Sequence, residues 1–261
     1  MTREEQVRFL INILLDEQPR YREQAALFSA DAASQRRLLR SLMNLRPPLP
    51  LKREFLAVQD ELLRAEAVEK GIVRIEELEP AAEPDLYLWQ GDITRLAADA
   101  IVNAANSALL GCFVPCHGCI DNAIHSAAGL QLRDECARIM QAQGREEPTG
   151  QARLTGAYNL PAKHVLHTVG PIVQDRVTDR DRQALKSCYE SCLRLAAERQ
   201  LTSVAFCCIS TGEFRFPNRE AAGIAVAAVR EFLRRGGGVK VIFDVFKDAD
   251  LRIYEGLLGA G

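Results

Sequence analysis

The sequence has no apolar run near 18 residues, which excludes a membrane-spanning helix. It has no basic excess either: 33 Lys and Arg stand against 35 Asp and Glu, a formal net charge of -2. Surfaces that bind nucleic acid generally are positively charged, so neither nucleic acid nor membrane is an expected partner. The start, MTREEQVRFL, is acidic and amphipathic and has no signal-peptide apolar core, so the expected location is the cytoplasm. There is no internal repeat and no low-complexity tract. The 261 residues suit one large domain, or one medium domain with a small one, and a monomer is the default expectation. Eight cysteines in a chain that is not a short secreted one argue against a disulfide framework. Cys136, Cys188, Cys192, Cys207 and Cys208 lie on apolar or helix-like stretches and read as core thiols.

What is present divides in two. Residues 1–80 read as helical. Thr2 and Glu5 make a capping box, and Val7, Leu10, Ile11, Leu14 and Leu15 fall on one helical face before Pro19 ends the run. Asp31 is placed to cap a second helix carrying Leu38, Leu39, Leu42, Met43 and Leu45, and Arg46-Pro47-Pro48-Leu49-Pro50 breaks it. A third helix over 52–70 presents Phe55, Val58, Leu62 and Leu63, with Gly71 at its end. The apolar faces of this extension are expected to dock on the remainder of the chain.

After the loop at 79–85 the pattern alternates. Strands are predicted at Leu86–Trp89, Ala100–Val102, Ala157–Leu160, Val165–Val169, Val204–Ile209 and Val239–Val245. Helices are predicted from about 120, over 179–199, from Asn218 as cap to about Arg235, and over 250–258. This alternation predicts an α/β sandwich with a largely parallel sheet over residues 81–261. Ligands bind at the C-terminal ends of the strands in such sheets, so the loops 90–94, 103–119 and 210–216 can converge on one cleft.

The stretch 103–122, NAANSALLGCFVPCHGCIDN, carries the densest chemistry. Cys112, His117 and Cys119 follow the spacing Cys-x4-His-x-Cys. Two thiolates and an imidazole suit zinc, and three protein ligands leave a fourth position for water or substrate, the pattern of a catalytic site. Cys116 is a further thiol in the loop, and its inclusion would close the site into a structural one. The run Ser210-Thr211-Gly212-Glu213-Phe214-Arg215-Phe216-Pro217 joins a strand to a helix, where small residues let backbone N–H groups approach a diphosphate.

Gly91-Asp92-Ile93-Thr94, then Asp99-Ala100-Ile101-Val102-Asn103-Ala104-Ala105-Asn106, then Ser210-Thr211-Gly212 with Phe216-Pro217, resemble the macrodomain family over roughly residues 86–258. The insert from Gly111 to Gly129 resembles the zinc-dependent microbial branch, which also carries a helical N-terminal extension. The resemblance implies a macrodomain-like α/β/α sandwich with a mostly parallel mixed sheet behind a small helical region. It implies an ADP-ribose site, with Asp92 on the adenine amino group and the Ile93 backbone beside it. Ser210, Thr211, Gly212, Glu213 and Phe214 would hold the diphosphate side, Asn103 and Asn106 would meet the distal ribose, and Phe246 would pack on adenine. The implied activity is removal of mono-ADP-ribose from a modified protein side chain, with Zn2+ near the distal ribose. Asn106, Glu213 and Asp121 are the expected catalytic residues: Glu213 as general base or water-positioning group, Asp121 as the alternative. Rival readings are an ADP-ribose-binding module without catalysis and a hydrolase of O-acetyl-ADP-ribose.

Overall fold

A computed structural model describes residues 1–259. The amino-terminal helices form as their caps require. In α1 (Arg3–Glu17) the Thr2 hydroxyl accepts from the Glu5 amide while the Glu5 carboxylate accepts from the Thr2 amide. Asp31 caps α2 (Ala32–Leu45) by accepting from Ser34 N at 2.9 Å, and α3 (Arg53–Lys70) stops at Gly71, whose φ is +81°.

The remainder builds a six-stranded sheet from β1 (Leu86–Gln90), β2 (Ala100–Ala105), β3 (Ala152–Gly156), β4 (His164–Val169), β5 (Ser203–Phe206) and β6 (Lys240–Val245). The spatial order is β1-β6-β5-β2-β4-β3, parallel throughout except for the antiparallel β3–β4 edge. Helices α4 (Ile120–Ala128), α5 (Leu130–Gln143), α6 (Asp179–Glu198), α7 (Asn218–Arg234) and α8 (Asp248–Leu258) complete the sandwich. The inner strands β2, β5 and β6 are apolar almost without interruption, as burial on both faces demands. Among the described residues no helix is long and apolar enough to cross a membrane.

Three expectations need correction. Residues 157–160 are a turn, not a strand: Leu160 N donates to Ala157 O, Tyr158 has φ +56°, and the strand lies just before it at β3. Ala157 and Leu160 are buried, so apolar character there marked a core-facing turn. Asn218 is the first residue of α7 rather than its cap, and its amide donates to Asp250 Oδ1 at 2.5 Å. The extension does dock on the sandwich, but not mainly through the apolar faces of α1, α2 and α3. They bury one another in a separate cluster, to which the later chain contributes Leu130. The seam between the two layers is polar instead: the Gln59 carbonyl accepts from Leu130 N at 3.0 Å, Asn159 donates to Asp60, and Arg64 donates to Asn159.

Candidate active site

The C-terminal ends of β1, β2, β5 and β6 supply the loops of the candidate site. β2 runs three residues further than the apolar run Ala100–Val102 suggests. Asn103 therefore sits inside the ladder, opposite His167 of β4, and is fully buried. Its amide donates to Asp121 Oδ1 at 2.7 Å and lies 3.2 Å from His167 Nδ1. Because the Asn103 amide is a donor, His167 Nδ1 is the acceptor and Nε2 carries the proton toward Thr155 Oγ1 at 3.0 Å. Asn103 thus lies beneath the cleft, where its amide steadies the Asp121 carboxylate.

Asn106, one residue past β2, is half-buried at the cleft. Its side-chain amide donates to Gly111 O at 3.2 Å and approaches Asp121 Oδ2 at 3.4 Å, while its carbonyl accepts from Ala108 N. Asp121, in the first turn of α4, is buried. Burial raises its pKa to about 6, with the Asn103 hydrogen bond and the Arg133 charge opposing the rise. His125, one turn on, brings Nε2 to 3.5 Å from Asp121 Oδ1. Gly111 is required here: its φ is +80°, and a Cβ would lie 2.8 Å from the His125 ring.

The donor atoms of Cys112, His117 and Cys119 lie within 4.8 Å of one another, and Cys112 Sγ is 3.6 Å from His117 Nδ1. All three residues are half-buried on a loop otherwise open to solvent at Phe113, Val114, Pro115 and Gly118. Cys119 also caps α4, its sulfur accepting from Asn122 N. Cys116, with φ +52°, turns away from the group. Its Sγ lies 3.3 Å from Ser41 Oγ on α2. Three soft or borderline donors therefore face one another with solvent on one side, a set that can hold a divalent ion such as zinc.

Glu213 projects from the loop after β5, and its Oε1 lies 3.7 Å from His117 Nε2. The two predicted loops thus meet at this carboxylate. Ser210 is buried with φ +65°, and its hydroxyl has no hydrogen-bond partner among the described residues. It is packed against Gly170, where a Cβ would come within 2.0 Å of the hydroxyl. Thr211 and Phe214 are half-buried, Gly212 is exposed with open space around it, and Arg215 N closes the turn onto Gly212 O at 3.0 Å. At the far end Asp92 Oδ1 accepts from Thr94 N and Thr94 Oγ1, while Oδ2 is 3.8 Å from Lys70 Nζ on α3. The Ile93 side chain is buried, and Phe246 is 75% exposed just past β6, free to be covered by a flat ligand.

Sequence reasoning missed the residues that brace this site. His167 is buried, and its hydrogen bond with Asn103 ties it to Asp121. Arg133, Arg40 and Asn44 showed no signal, because each acts across a long sequence separation.

The Macro domain family profile matches residues 102–225. A protein-ADP-ribose hydrolase of Treponema medium is 51% identical, over 99% of this chain and 100% of that protein. One of Staphylococcus aureus (strain MSSA476) is 49% identical over 84% of this chain and 82% of its own length. The crystal structure of the Trypanosoma brucei macrodomain in complex with ADP-ribose has a TM-score of 0.66 at 33% identity, covering 84% of this chain and 95% of that one. The Oceanobacillus iheyensis macrodomain with ADP has a TM-score of 0.62 at 37% identity, covering 67% and 90%. The chain belongs to the macrodomain family.

Proposed function

We propose that this macrodomain is a zinc-dependent hydrolase that removes mono-ADP-ribose from modified protein side chains. The carrying observation is the meeting of two loops. The Cys112, His117 and Cys119 donors face one another, the Glu213 carboxylate reaches His117 from the second loop, and Asn106 donates to the backbone of Gly111, directly before Cys112. Similarity to proteins named protein-ADP-ribose hydrolase over nearly the whole chain supports the same reading. A module that only binds ADP-ribose has no need of three metal donors open to solvent.

The donor set fits zinc: two cysteines and one histidine within 4.8 Å, with the Cys116 sulfur directed elsewhere. Bound there, zinc would supply a Lewis-acid position for an oxygen of the distal ribose or of water. The other roles fall to protein groups. Asp92 selects adenine by accepting from its amino group, with Phe246 covering the ring. The orphan Ser210 hydroxyl and the amides of the Thr211–Phe214 turn meet the diphosphate. Asn106 offers its amide to the distal ribose and is itself oriented by Asp121, which Asn103 holds from below. Glu213, the carboxylate on the solvent side, positions the attacking water and accepts its proton. The bond between the anomeric carbon and the protein then breaks, water supplies the new anomeric hydroxyl, and the proton taken up by Glu213 passes on to the departing side chain or to solvent. Asp121 is the lesser candidate for this base, because Asn103 already donates to one of its oxygens and the Asn106 amide lies beside the other.

Metal analysis paired with turnover on mono-ADP-ribosylated proteins, acidic linkages first, tests this. Near one zinc per chain and chelator-sensitive release of ADP-ribose are expected. Undiminished release by protein stripped of metal would refute the zinc assignment.

A further inference from the structure

The polar seam between the helical extension and the sandwich is concentrated on the ligand loop. Residue α2 Asn44 is buried and spans two partners: its carbonyl accepts from Cys116 N at 2.9 Å and its amide donates to Ser126 Oγ at 3.0 Å. The first of these bonds holds the left-handed residue directly before His117. Arg40, one turn earlier on α2, donates to Asn122 Oδ1 at 2.7 and 3.2 Å and reaches His117 O at 3.5 Å. Asn122 in turn donates to Val114 O at 3.0 Å. Ser41 meets the Cys116 sulfur.

A second tie comes from the opposite direction. Arg133 of α5 is buried, and its Nη1 donates to the carbonyls of Met43, Asn44 and Arg46 at the C-terminal end of α2. Its Nε donates to Leu110 O at 2.7 Å, and its guanidinium lies 4.3 Å from the centre of the Phe113 ring. A cation at a helix C-terminus satisfies carbonyls that the helix leaves open. Here the same cation also grips the root of the ligand loop.

We infer that α2 of the amino-terminal extension is a working part of the metal site: Asn44 and Arg40 are positioning residues that hold the 111–119 loop in the conformation where Cys112, His117 and Cys119 face one another. The inference rests on the zinc reading above, which assigns those three residues as ligands. Neither Asn44 nor Arg40 touches the ligand side chains themselves. Both act through the backbone of Cys116 and His117 and through Asn122. The loop carries Gly111, Pro115 and Gly118 and has exposed residues at its tip, so few contacts of its own would order it. Partners outside a metal's immediate ligands typically alter affinity 10- to 100-fold when removed.

The test uses the full chain with Asn44→Ala and Arg40→Ala. Arg36→Ala serves as control, since Arg36 lies on the same helix and pairs with Glu66 away from the loop. Two measurements are made: zinc affinity by competition with a chromophoric chelator, and amide hydrogen exchange of residues 111–119 in metal-free protein. Asn44→Ala and Arg40→Ala are each expected to weaken zinc binding by about tenfold or more and to speed exchange in the loop while β2 and β4 keep their protection. Asn44→Asp, which retains the acceptor for Cys116 N, should recover part of the loop protection. Parental zinc affinity and parental loop exchange in both alanine variants, or equal changes in Arg36→Ala, overturn the inference. If the parent binds no zinc, the functional reading fails by that result, and loop exchange still decides whether α2 braces the loop.

Discussion

Two groups of cysteine and histidine lie side by side in this molecule. Cys112, His117 and Cys119 are half-buried at the cleft, while His125, Cys136 and His167 are wholly buried beneath it. In each group the donor atoms lie within 4.8 Å of one another. The difference is in what surrounds them. His167 is engaged at both nitrogens, by Asn103 and Thr155, and Cys136 Sγ sits 3.8 Å from its Nε2. Burial pushes the Cys136 thiol far up and holds the His167 ring down to about 3, so the inner group stays neutral. The outer group has solvent on one side, a carboxylate beside its histidine, and a loop free of competing secondary structure. Donor type and proximity are therefore not sufficient for a metal centre. Access to solvent and to a ligand separates a candidate site from a core.

The sharpest break of this comparison exchanges the two groups by mutation. Cys119→Ala or His117→Ala should lose bound zinc and lower turnover by more than about 100-fold, since even outer partners are worth 10- to 100-fold. Cys136→Ala should leave the zinc content at the parental level, and metal lost from that variant would erase the distinction. Next in size, Glu213→Gln should lower kcat by about 100-fold, the low end for general acid–base contributions, while the protein keeps its zinc. Retained kcat would move the base to Asp121. A smaller effect belongs to the adenine end. Asp92→Ala should raise KM about tenfold, near the worth of one hydrogen bond to a charged group, with kcat little changed.

The last test addresses the inner group directly, through stability rather than turnover. The His167 ring is faced by Asn103, Thr155, Cys136 and His125. Its pKa falls from the ordinary 6.5 to about 3 in the folded protein because burial disfavours the charged ring. Below pH 6.5 the unfolded chain takes up a proton that the folded chain does not. Stability present in full above that pH should decline as pH drops toward 3, by at most about 1.4 kcal/mol per pH unit for one proton. Urea midpoints across this window should fall with acid, and His167→Gln should flatten the slope by one proton's worth. An unchanged slope would assign the uptake elsewhere.

Much of the fold was legible in the chain because its signals are local. The Thr2 and Asp31 caps, the break at Pro47-Pro48, and the buried runs of β2, β5 and β6 each depend on near neighbours. Of the proposed site, the grouping of Cys112, His117 and Cys119 was legible because their spacing is short, and Asn106, Glu213 and Asp121 drew attention through their place in the loops. The bond from Asn103 to Asp121 was not legible, since a motif residue at the end of a strand looks the same whether it faces ligand or underpins its neighbour. The turn at Ala157–Leu160 misled for a related reason: burial and strand periodicity look alike over four residues.

By itself, the sequence determined the alternation of strands and helices, the types and spacing of the candidate donors, and the loops that follow the parallel strands. Periodicity and chain connectivity set these within a few residues of each position. Only the tertiary structure decided that Asn103 serves Asp121, that Cys116 turns to α2, and that Arg133 and Asn44 clamp the loop from two directions. Those bonds join residues 18 to 90 positions apart. Such pairings form when segments distant in sequence pack together, and no local pattern of residues encodes which groups they bring into contact.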